Sequence, residues 1–197
     1  MSKADSASSK KGRGKTIRWV VTIFLVTIFV SGFISFISDA IMSVSTMTVA
    51  FLILLAIVLV GIVFDVVGVA VTSADEKPFH SMAARKVPGA QEAIRLLRNA
   101  ERVSSICNDV VGDICGVVSG SASATIAAQL LNHFEFSWPQ AVGLVMSALV
   151  AGLTVGGKAI GKTFAIGSCT AIVQSVGRLI WFLQSWPKLF KPQGNRK

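Results

Sequence analysis

Charge is scarce in this chain. Lys, Arg, Asp and Glu supply 15% of its 197 residues, against about 25% in soluble domains, which argues against a soluble globular domain. With 52% hydrophobic residues, disorder over most of the length is excluded as well. Cysteine is rare: Cys107, Cys115 and Cys169 form neither a disulfide framework nor a zinc spacing, and read as small apolar packing residues. The two histidines, His80 and His133, lie in different loops, on opposite sides of the four-span arrangement derived below, and cannot share a metal. No triad, paired-acid or nucleophile-elbow pattern is visible, so the sequence gives no expectation of an enzyme. Acidic residues are few, ten against nineteen basic, and the net charge of +9 raises nucleic acid as a partner. The distribution excludes it, because the basic residues sit at the chain ends and in one central loop, separated by long uncharged runs.

Those runs are what the sequence has in abundance. Trp19–Ile37, Ile41–Phe64, Ile114–Leu131 and Trp138–Gly157 are uncharged, each near the roughly 17 to 25 residues that cross about 30 Å of hydrocarbon. The first follows a basic stretch but exceeds a signal-peptide core and leads to no cleavage site, so it is read as an uncleaved helix. The expected fold is therefore an all-α integral membrane protein with four transmembrane helices and juxtamembrane amphipathic helices. Its parts are a disordered basic tail (1–16), a first span (17–40), a domain over 41–187 with spans at about 41–72, 105–131 and 138–162, and a basic tail (188–197).

The basic residues orient it. Six precede the first span, six lie between Lys77 and Arg102, and seven run from Lys158 to Lys197, while Ser38–Ala40 and Asn132–Ser137 contain none. All nineteen fall on one side if both termini are cytosolic, in a plasma or bacterial inner membrane. A fifth span over 164–186 would place Lys188, Lys191, Arg196 and Lys197 outside. Thr170, Gln174 and Arg178 recur at four-residue spacing there, which suits a helix lying in the inner interface. In the central loop, Pro88-Gly89 divides two short helices, the second with the stripe Ala93, Ile94 and Leu97. The basic tails are expected to attract anionic lipid.

Charges inside spans are functional candidates. Asp65, Asp109 and Asp113, with Asn108 beside them, offer hard oxygen ligands for Mg²⁺ or Na⁺; Lys158 and Lys162 are the nearby cations that can instead neutralise them. Glycines repeat at four-residue spacing in the same helices: Gly112, Gly116 and Gly120; Gly152 and Gly156; Gly157 and Gly161. Such faces bring helix backbones together, within one chain or between two. Gly156–Thr163 also fits the phosphate-loop pattern G-x-x-x-x-G-K-[ST], but a membrane-length run precedes it and no acidic residue follows it, so nucleotide hydrolysis is rejected.

Three stretches resemble a known family. FDVVGVAVTSAD (Phe64–Asp75) is similar to the end of the first family helix of the cyclin-M (CNNM) and CorB/CorC magnesium transporters, where the pattern is approximately F-S-G-S-E-T-A-L-T-S-A-N. The A-x-x-L-L-x-N-x-E-R and S-x-x-x-N patterns within Arg85–Asn108 resemble the family's linker and second helix. GGKAIGKTFA (Gly156–Ala165) resembles F-G-E-I-x-P-K-T-x-A. The resemblance covers about residues 48–187. It implies a homodimer of three-span units with juxtamembrane helices and a cytosol-facing cation site, here preceded by one additional span. Carried over position by position, Asn108 matches the first residue of the family's Asn-Asn pair and Asp109 replaces the second. Gly157 matches the motif glycine, and Thr72 and Ser73 match its T-S. Asp65 stands where a Ser is expected, Gly68 replaces an acid, Lys158 replaces a Glu and Gly161 replaces a Pro. The implied cation ligands are Asp65, Asn108, Asp109 and Gly157, with Lys158, Asp113 and Ser73 beside them, and Mg²⁺ or Na⁺ as the transported ion. Asp65, Asp109 and Lys158 are expected to converge. The family's tandem cystathionine-synthase-type domains have no counterpart in this sequence.

The charge distribution sets a first test. Single cysteines at Ser9 and Gln193 in intact cells are expected to resist a membrane-impermeant maleimide, and one at Asn132 to react. Labelling at Gln193 would sink the in-plane helix and favour a fifth span.

Overall fold

A computed structural model describes residues 3–133 and 138–189. It is built from helices, with no strand among the described residues: α1 (Lys3–Val44), α2 (Met47–Ser73), α3 (Lys77–Ala84), α4 (Ala90–Arg98), α5 (Ala100–Ser105), a π-helical turn (Ile106–Gly112), α6 (Asp113–His133), α7 (Pro139–Gly167) and α8 (Cys169–Leu189). Four stretches are long and apolar enough to cross a membrane, as expected: Val20–Ile41, Met47–Ser73, Ala100–His133 and Pro139–Gly167. Helix α8 is not among them.

Two boundaries differ from the expectation. Helix α1 continues back to Lys3 through the tail expected to be disordered. Once the apolar segment has formed a helix, adding residues to its end avoids the cost of nucleation, and no proline interrupts Ala4–Thr16. At the other end, Ser38–Ala40 is helix rather than loop, because it contains neither glycine nor proline and Ile41 continues the apolar run. The chain turns instead at Ser45-Thr46, where Thr46 is extended (φ −65°, ψ 152°). Residues 134–137 of the expected loop, and the expected basic tail from residue 190 on, lie outside the described residues.

Helices α2, α6 and α7 form the bundle, with α1 against α6 and α8 against α4 and α2. Glycines set the register. A Cβ on Gly61 would lie 2.9 Å from Cys115 Cβ, one on Gly161 would lie 2.7 Å from Val66 Cγ2, and one on Gly157 would collide with Ile62. The partners of α7 rise with α2 numbering, so those two helices run parallel; α6 runs against both. Two apolar cores result. Ala50, Leu54, Val58, Ala122, Ile126 and Val150 form one towards the α1–α2 turn. Ala70, Val71, Phe79, Ala93, Leu97, Ala165 and Val173 form the other beneath α3, α4 and α8.

The central loop folds as its Pro88-Gly89 pair predicts. Helix α3 ends in a Schellman motif: Val87 N–H donates to Met82 O (3.0 Å) and Lys86 N–H to Ala83 O (2.9 Å). The position that usually takes glycine is held by Lys86 at φ 56°, a left-handed conformation that costs a non-glycine residue about 1–2 kcal/mol. The α3–α4 turn is then clamped by α8: Gln174 Nε2 donates to Pro88 O at 3.1 Å, and Gly177 passes so close that a Cβ would lie 2.5 Å from Gly89 O. Adding that methyl group forces two backbones apart. Gly177→Ala is expected to destabilise the protein by about 1–3 kcal/mol, read as a lower melting temperature in detergent; Gly143→Ala, where a Cβ meets nothing within 4 Å, is the matched control.

Candidate functional site

A polar cluster lies between the two cores, where α2, α7 and the π turn cross. Asp65 is 4% exposed, and its Oδ1 lies 3.9 Å from Lys158 Nζ. That separation makes an ion pair but exceeds a hydrogen bond. Asp65 Oδ2 is buried and has no hydrogen-bond partner among the described residues. Burying a carboxylate without full compensation is expensive, so the pair is the main electrostatic tie in the bundle.

The glycines around it make the room. Lys158 Nζ would be 3.2 Å from a Cβ on Gly112, so the ammonium passes over a bare backbone. One turn along α2 from Asp65, Gly68 receives the side-chain amide of Asn108, which would overlap any Cβ there. Asn108 Nδ2 donates to Ser104 Oγ at 3.2 Å. Its Oδ1 is buried and, like Asp65 Oδ2, lacks a donor. Two acceptor oxygens without donors thus lie about one helical turn apart along α2, one on Asp65 beside Lys158 and one on Asn108 against Gly68. Asn108 reaches Gly68 from the widened turn Ile106–Gly112, in which hydrogen bonds skip five residues; such turns recur at functional sites.

Of the residues singled out from sequence, the structure pairs Asp65 with Lys158 and seats Asn108 one turn along α2, at Gly68. It does not bring in the others. Asp109 is exposed and accepts a 2.8 Å hydrogen bond from Ser105 Oγ of its own helix, so its expected convergence with Asp65 and Lys158 does not occur. Asp113, Lys162 and Ser73 are exposed. Gly157 faces Ile62 and serves packing. Adjacent residues of a helix point about 100° apart, so Asn108 can face Gly68 only with Asp109 turned away from it. Among the described residues, no three His, Cys, Asp or Glu side chains gather to hold a metal ion. The phosphate-loop look-alike Gly156–Thr163 is interior to the continuous helix α7, so its backbone forms no loop.

Sequence reasoning missed Ser38 and Asp39. Ser38 Oγ and Asp39 Oδ1 are buried in the helix that packs on α6 and have no hydrogen-bond partner among the described residues. The signal was present, a carboxylate at the end of an apolar run, but it was assigned to a turn.

A groove of about 240 Å³ opens between α6 and α7. Gly116 and Gly120 line it, and a Cβ on either would meet nothing within 4 Å. Three of its hydroxyls are occupied at home: Ser119 donates to Gly116 O (2.9 Å), Ser123 to Gly120 O (2.8 Å) and Thr154 to Val150 O (2.8 Å). The groove offers shape rather than hydrogen bonds. The equal spacing of the glycines therefore hides two roles, since Gly157 and Gly161 pack inside the chain and Gly116 and Gly120 face out of it.

Compared with known proteins, the chain matches no family model, and no curated protein matches it either.

The ion pair can be weighed by a double-mutant cycle. Lys158→Met leaves Asp65 buried without its cation and is expected to cost about 3 kcal/mol. The double variant Asp65→Leu/Lys158→Met, which removes both charges, is expected to recover most of that loss. Thermal unfolding in detergent checks it; additive losses would show the two charges to be uncoupled.

Proposed function

We propose that this multi-pass membrane protein binds and carries a small inorganic cation at the Asp65–Asn108 crevice, as a divergent relative of the cyclin-M and CorB-type transporters. The observation that carries the reading is the pair of buried oxygens, Asp65 Oδ2 and Asn108 Oδ1, that have no donor among the described residues. Hard oxygens without donors are what an alkali or alkaline-earth ion takes as ligands.

Lys158 decides which ion. Two unit charges about 4 Å apart interact by about 4 kcal/mol at an effective dielectric near 20. For an ion beside Asp65 the attraction of the carboxylate and the repulsion of Lys158 both scale with its charge and largely cancel, so the site does not offset the reluctant dehydration of Mg²⁺. The site as built therefore favours Na⁺ over the family's Mg²⁺. Lys158, 23% exposed at its side chain and passing over Gly112, acts as a tethered cation that neutralises Asp65 when no ion is bound and withdraws when one binds. The groove at Gly116 and Gly120 supports a second copy of the chain docking there, because small residues let helices approach closely. The resulting homodimer sits in the plasma or inner membrane with both termini cytosolic, α8 in the inner interface and the basic tails on anionic lipid.

Melting curves in detergent test the site, with choline chloride as the ionic-strength control. Saturating Na⁺, at about 100 times its Kd, is expected to add about 2.7 kcal/mol, and Asp65→Asn to abolish the gain. Lys158→Glu is expected to exchange the Na⁺ response for a Mg²⁺ response, and Na⁺ flux in proteoliposomes to follow the same pattern. Identical curves in all salts for all three proteins would leave a non-transporting adaptor whose lysine fills a vestigial site.

A further inference from the structure

A second cavity, of about 420 Å³, lies where the α3–α4 turn meets the C-terminal half of α8. It is built by other elements than the Asp65 crevice, and its walls are mostly polar. Lys86, Glu92, Arg95, Trp181, Gln184 and Ser185 are among its lining residues. Lys86 has no ion-pair partner among the described residues, and Arg95 has only a long contact of 4.0 Å to Glu92. Glu92 itself is buried, at 8% exposure. The cavity thus holds two exposed cations and, deeper, one carboxylate without a close counter-ion.

Position adds to charge. The cavity is on the side of the bundle where the basic residues collect, and Trp181 is the residue type that settles at the membrane–water boundary. Lys86 also stands at φ 56° where glycine would be relaxed, and an observed backbone strain of this kind is grounds for a functional hypothesis.

We propose that this cavity is a headgroup site for an amine-bearing phospholipid of the phosphatidylethanolamine type. Lys86 and Arg95 take the phosphodiester by charge-assisted hydrogen bonds, Glu92 takes the primary ammonium, and the chains pass into the bilayer beside Trp181. A purely anionic headgroup fits less well, since it places its second negative group or bare hydroxyls against Glu92. The inference rests on the membrane reading and not on the cation site, and the two fail separately.

Native mass spectrometry of the full chain, released from mixed micelles with equal phosphatidylethanolamine and phosphatidylglycerol, tests it. The unmodified protein is expected to retain phosphatidylethanolamine preferentially, and Lys86→Gly and Arg95→Gln each to reduce its retention about tenfold, the loss of one good polar contact. Lys86→Gly is expected to melt at the same or a higher temperature, because glycine relieves the left-handed strain, so lost retention there cannot be ascribed to unfolding. Retention unchanged in both variants overturns the site. Equal retention of the two lipids overturns the role of Glu92. Displacement of the lipid by free phosphorylethanolamine at equal concentration overturns the lipid as its source, pointing to a soluble phosphate compound instead.

Discussion

Asp65 is the constraint from which the rest of the bundle follows. A carboxylate 4% exposed in an otherwise apolar helix has to find a cation or leave the interior. Lys158 reaches it only because α7 comes close to α2, and α7 comes close only because Gly157 and Gly161 admit Ile62 and Val66. On the other flank, Gly112 lets the ammonium pass and Gly68 lets Asn108 in. The glycines and the charges are therefore one device: the first make the distances short, and the second make the short distances worthwhile. The two hydrophobic cores lie on either side of it, holding the crossing in register without filling it.

Most of the architecture was legible in the residues, since apolar runs of about twenty residues have few other uses and Pro88-Gly89 is an unambiguous break. That interior Asp and Lys groups neutralise one another follows from the scarcity of charge, but the pairing of Asp65 with Lys158 in particular was implied by the family resemblance, which also included Asp109. What was not legible depended on local geometry. The π turn over Ile106–Gly112 has no composition signal, and the pattern did not say that the face turned inward is that of Asn108, with Asp109 and Asp113 left exposed. The direction of a glycine face is equally silent. Gly116 and Gly157 look alike in sequence, but one borders an open groove and the other meets Ile62. Asp39 was misplaced because a short polar stretch between apolar runs was taken for a turn, although nothing in Ser38–Ala40 stops a helix.

The cation crevice and the α3–α4–α8 cavity use the same chemistry with different geometry. At Asp65, one charge of each sign is held 3.9 Å apart, close enough to cancel. In the cavity, the opposite charges are spread along the walls, Lys86 outermost and Glu92 deeper, an arrangement matched by an elongated zwitterion. Between them, α2 and α8 share the core that contains Val71 and Val173, so α8 is packed on the helix that carries Asp65.

Helix α1 stands apart from this arrangement. It leans on α6, and Phe24, Phe29, Phe33 and Phe36 are left exposed along its length. About seventy residues separate the end of α1 from the start of α6 in the chain, so a ribosome delivers α1 to the bilayer well before its packing partner exists. During that interval the helix has to persist as a solitary rod, and the phenylalanines that face away from the bundle are what makes lipid alone an adequate solvent for it. The buried hydroxyl of Ser38 and carboxylate of Asp39 are then the last groups on α1 to be sheltered, closing only when the late-made helix arrives beside them.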